Sequence, residues 1–123
     1  MNNSINSRKN VARAGRLQRR LDAGSVATHY PEVASIVISM MYTQRLLQSS
    51  LPRIVHFSPS SYALFWVDCL NKECVDGGFD LTQVITGMIR SRRKTAKGNL
   101  SCEGDGPSAD HSTIVYEVVI QYT

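Results

Sequence analysis

The sequence predicts a small α+β domain, an antiparallel or mixed sheet with one main helix packed on it. Three observations carry this. Residues 33–42 and 113–122 place apolar side chains at every second position, as half-buried strands do. Between them Leu81, Val84, Ile85, Met88 and Ile89 recur at helical spacing behind a capping signal. At 123 residues the chain is long enough for one core and too short for two.

The elements follow in order. Residues 1–7 are polar and expected to be disordered. From Lys9 to Leu21 a thin stripe of Val11, Ala14, Leu17 and Leu21 marks a basic helix. Gly15 weakens that helix by ~1 kcal/mol. Asp22-Ala23-Gly24-Ser25 ends it, so residues 1–25 form a basic arm and residues 30–123 a single domain. The core is expected to start near Pro31. Its first strand buries Ile36, Ile38, Met40 and Tyr42 on one face. A polar connection, residues 44–52, leads to a short strand at 53–57, which Ser58-Pro59-Ser60-Ser61 ends in a turn. Residues 62–68 carry large side chains on both faces and read as a central strand. Gly77-Gly78 makes a turn, Asp80 and Gln83 fit a capping box, and the helix runs to about Arg92. Gly98 starts a short return to Cys102, and residues 113–122 close the sheet.

The net charge of +4 is concentrated in two acid-free runs. One holds Arg8, Lys9, Arg13, Arg16, Arg19 and Arg20; the other holds Arg90, Arg92, Arg93, Lys94 and Lys97. Such runs suit a polyanion, which makes Arg16, Arg19, Arg20, Arg90, Arg92 and Arg93 candidate nucleic-acid contacts. They equally suit plain solubility. No apolar run approaches the ~18–20 residues of a membrane span, and the polar N-terminus is no secretory signal. A cytoplasmic, reducing home and no membrane partner are therefore expected.

In that setting thiols favour metal over disulfides, and three cysteines cannot pair off completely. Cys69 and Cys74 form C-x4-C, and Cys102 with His111 forms C-x8-H. Four S/N ligands in two pairs are a set that tetrahedral zinc accepts, with Asp110 or Asp105 as substitutes for the histidine. Cys69 ends the 62–68 strand and Cys102 ends a second extended piece. The two pairs can then face each other as two zinc-ribbon-like knuckles, with the helix as the insert.

The stretch from Cys74 through Asp76-Gly77-Gly78-Phe79-Asp80-Leu81-Thr82, the helix, Gly98-x3-Cys102-x-Gly104 and the closing strand resemble a group of small, largely uncharacterised bacterial proteins. Their zinc-ribbon-like cysteine pattern is likewise split by a helix. The likeness covers about residues 30–123, with the Gly-Phe-Asp-Leu segment its most specific part. It implies a fold and a bound metal, and it brings no established activity. That pattern has a fourth cysteine just before the last strand, where this chain has Asp110 and His111.

Catalysis finds little footing. No H-E-x-x-H, P-loop or G-x-S-x-G occurs, nor the H-x-E…P-C-x-x-C set of the zinc deaminases. A zinc held by three cysteines and a water is possible, but three thiolates make it a poor Lewis acid, and a Cys102–His111 nucleophile pair is the other arrangement available. The leading expectation is a structural-zinc protein acting as an interaction module with a protein partner. Nucleic-acid binding is the alternative, and a small metal-dependent or cysteine enzyme comes last.

Overall fold

The structure, a computed structural model, describes residues 3–44, 49–68, 78–102 and 113–123. Its elements run α1 (Asn3–Ala23), α2 (Val26–His29), β1 (Val33–Gln44), β2 (Ser49–Phe57), β3 (Trp66–Asp68), β4 (Gly78–Asp80), α3 (Thr82–Ser91), β5 (Thr95–Ser101) and β6 (Thr113–Tyr122). Four of the strands form one antiparallel sheet in the order β2-β1-β6-β5, and β3 pairs with β4 in a second, two-stranded sheet. The α+β expectation holds at that level.

Strand periodicity sets the inner face of the large sheet. Ile36, Ile38, Met40 and Tyr42 on β1 lie beside Ile114, Tyr116, Val118 and Ile120 on β6, all buried. Ile85, Met88 and Ile89 of α3, with Phe65, Val67 and Phe79, complete the core over that face. Ring contacts join the layers: Phe57 meets Phe65 edge-on at 5.2 Å, and Tyr42 meets Phe79 at 5.6 Å. At ~25 cal/mol per Å² of apolar surface removed from water, side chains of this size dominate the stability.

Several local expectations change. The helix begins at Asn3, where disorder was expected, since nothing from Asn3 to Ala14 breaks a helix and Gly15 is tolerated. It stops where expected: Gly24 takes φ 71°, a left-handed backbone that suits glycine. The core reaches back beyond Pro31 to Val26, which is fully buried. β1 extends to Gln44 and β2 starts at Ser49, so most of the supposed polar connection is strand. Pro52 is accommodated because β2 is a sheet edge.

Residues 62–65 are not a central strand. Their backbone bonds go elsewhere: Ala63 N–H to Gly24 O at 2.7 Å, and Leu81 N–H to Phe65 O at 2.8 Å. They strap the end of α1 to the start of α3, and only Trp66–Asp68 pairs as strand. Leu81, not Asp80, takes the N-cap position of α3, while the Asp80 carboxylate accepts the Thr82 N–H at 2.9 Å. The helix ends in a Schellman-type turn with Arg92 left-handed at φ 57°, its N–H bonding Ile89 O and that of Arg93 bonding Met88 O.

Candidate metal centre

Of the four expected ligands, Cys69, Cys74 and His111 lie outside the described residues, as do the substitutes Asp105 and Asp110. The expected zinc-ribbon-like knuckles likewise lie outside the described residues. Among the described residues there is no cluster of three or more His, Cys, Asp or Glu able to hold a metal. What the structure does place is the pair of roots from which the cysteine-bearing segments leave.

The first root is Asp68, which pairs with Gly78, so residues 69–77 leave and return at one point. The Tyr42 hydroxyl donates to the Asp68 carbonyl oxygen at 3.1 Å. Tyr42 points to the inner face near the end of β1, so the residue just before Cys69 sits under that corner of the large sheet. Gly78 is needed there: a Cβ on it would stand 2.6 Å from the Trp66 ring and from Val67 O. The buried Trp66 Nε1, pressed on that glycine, has no hydrogen-bond acceptor among the described residues.

The second root is Ser101, which pairs with Thr113, so residues 102–112 likewise leave and return together. Tyr42, Ile114 and Leu100 are successive register partners on β1, β6 and β5. At ~4.8 Å per strand, Leu100 is about 10 Å from Tyr42 along the same inner face. Cys102 follows with inward parity, half-buried against the core. Both cysteine-bearing segments are therefore rooted at one corner of one sheet face.

The other histidines are elsewhere. His56 is exposed on the outer face of β2, and His29 is exposed beside Gly24.

The arginines divide. Arg16 Nε lies 3.2 Å from Asp68 Oδ1, an ion pair by distance whose N–H direction falls short of a well-formed hydrogen bond. Arg19 lies over the Trp66 ring at 5.5 Å, and Arg92 over the Tyr122 ring at 5.4 Å. Arg20 is half-buried, while Arg90 and Arg93 are exposed. Arg16 sits at the Tyr42 end of the long strands and Arg92 at the Tyr122 end, so the fold does not pool the two runs. A helical arm resting on the domain is legible in the sequence, but its place on β3 is not, although one signal was present: Asp68 is the sole acid between Glu32 and Glu73.

At the far end, the Tyr122 hydroxyl donates to Met88 O at 3.2 Å and Arg93 O at 2.7 Å. Partial burial pushes its phenol above the ordinary 10.0; Arg92 opposes the rise and Glu32 adds to it.

Comparison with protein-family models, curated proteins and solved structures finds no match to this chain. No helix among the described residues is long and apolar enough to cross a membrane.

Proposed function

We propose that this chain is a small protein held together by structural zinc, bound by Cys69, Cys74, Cys102 and His111, and that it serves as an interaction module. The observation that supports it is the shared corner. Tyr42 holds the residue before Cys69, and Cys102 continues the same inner face two strands away. A single ion there would tie the segments 69–77 and 102–112 to each other. Zinc bound this way contributes folding energy and leaves no open position for substrate water. Cys102 fits the role, being partly buried where an ionised thiolate without a metal would be costly.

The test is metal analysis of protein purified without chelator, with about one zinc per chain expected. Cys69→Ser and Cys74→Ser then release metal and lower the melting temperature sharply. His111→Ala does so more mildly, because Asp110 or solvent takes its place. No zinc together with three titratable native thiols rejects the reading; two oxidised cysteines replace it with a disulfide.

Nucleic-acid binding ranks second. Arg90, Arg93 and Lys94 are exposed at the C-terminal end of α3, but Arg16, Arg19 and Arg92 are each turned onto the protein itself. Its mark is affinity for labelled DNA or RNA that falls steeply with salt. Absence of binding at low salt removes it.

A further inference from the structure

We infer that the outer face of the four-stranded sheet is the interface of a homodimer, two copies stacking sheet on sheet. This rests on the interaction-module reading and names its partner; it does not depend on the metal, which belongs to the inner corner.

The centre of the outer face is apolar and its surround is mostly uncharged polar side chains, Ser35, Thr43, Thr95, Asn99 and Gln121 among them, where a solvated face is expected to be charged. Met41 is 42 % exposed, Ile54 63 % and Val115 63 %, and register sets them together: Met41 lies between Pro52 and Val115, and Ser39 beside Ile54. Val37 and Val119 continue the patch as register partners. Small Ser39 sits in a shallow concavity of ≈ 470 Å³ whose walls include Met41, Ile54 and Val115. Hollow and protruding side chains thus occupy one face, which is what a two-fold contact between identical surfaces requires.

Charge selects the occupant. In a chain of net +4, the strands of this face carry one cation and one anion outward, Lys97 and Glu117, and these pair with each other at 3.5 Å. A face neutral in itself neither repels its own copy nor attracts a polyanion or an anionic membrane. The basic helix α1 is the contrasting surface: its Val11, Leu17 and Leu21 are also exposed, but residues 3–21 contain no acid, so self-pairing there would set cations against cations.

Area agrees. Four strands at ~4.8 Å and nine residues at ~3.4 Å make a face of about 19 by 30 Å. Two such faces bury about 1,100 Å² together, at the low end for specific complexes. A reversible dimer is expected.

The test is sedimentation equilibrium of the full chain as purified, from about 1 to 100 µM, a range suited to so small an interface. The parent is expected to shift from monomer towards dimer across it, and Ile54→Lys with Val115→Lys to weaken the dimer at least tenfold while the far-ultraviolet dichroism is kept. Should that double variant not fold, Lys97→Glu carries the test: it gives each face net negative charge, so the dimer weakens at low salt and recovers at high salt. A parent monomeric at 100 µM overturns the inference. So does a dimer that survives these changes but is lost with Leu17→Lys and Leu21→Lys, which would place association on α1. Parent protein that dimerises without containing zinc keeps the dimer and discards only the metal.

Discussion

The Tyr42 hydroxyl donates to the Asp68 carbonyl oxygen at 3.1 Å, joining the end of β1 to the short strand that leads to Cys69. The same hydroxyl accepts from Arg53 Nη1 at 3.3 Å. Tyr42→Phe therefore removes a link between the sheets and leaves the ring packing intact. A loss of about 1 kcal/mol in stability is expected from chemical denaturation. Under the zinc reading the variant also gives up its metal to a chelator faster than the parent, because the root of Cys69 is loosened.

Gly78 allows Trp66 to lie against the β4 backbone. Gly78→Ala sets a methyl 2.6 Å from the ring and from Val67 O, and one of the two strands must shift. A destabilisation of about 1–3 kcal/mol follows from overpacking, with a change in Trp66 fluorescence. Unchanged stability and emission would show that the hairpin takes up the methyl without strain.

Arg16 pins α1 to β3 through Asp68. Half of that pair is exposed, so Arg16→Ala should cost no more than about 1 kcal/mol in global stability. Its local effect is larger. Limited proteolysis or hydrogen exchange is expected to report faster opening of α1, with the sheet unchanged. Equal exchange in parent and variant would assign the docking to Arg19 on Trp66.

Tyr122 gives a pH dependence of definite sign. Its phenol is raised above 10.0 in the folded chain, so the protonated form is favoured by folding. The contribution is fully present below pH 10 and is lost as pH rises through the higher folded value. Tyr122→Phe should therefore be less stable than the parent at neutral pH, having lost donation to Met88 O and Arg93 O. The gap should narrow above pH 10. A gap that widens with alkali would contradict the assignment.

Much of the fold was legible because β1, β6 and α3 bury one face each, and periodicity reports burial. Residues 62–68 misled for the same reason read in reverse. Phe65 and Val67 are buried, so the segment looks like a strand of the sheet, yet the Ala63 N–H goes to Gly24 O, Phe65 O accepts from the Leu81 N–H, and only Trp66–Asp68 pairs, with β4 in the small sheet. Hydrogen-bond partners leave no trace in hydropathy. Asp80 was recognised as a cap, but its place at the end of β4 moved the helix start to Thr82. Three of the candidate site's four ligands lie outside the described residues. Spacing paired Cys69 with Cys74 and Cys102 with His111; that their segments are rooted at one corner came from the register of Tyr42, Ile114 and Leu100. Hydropathy along the chain does not group the outward Met41, Ile54 and Val115, since they come from three strands.

X-ray absorption at the zinc edge, on protein purified without chelator, tests the central claim most directly. The account predicts a tetrahedral site with three sulfur neighbours at about 2.3 Å and one imidazole nitrogen at about 2.0 Å. An absent zinc signal, or a shell of oxygen and nitrogen without sulfur, would contradict it.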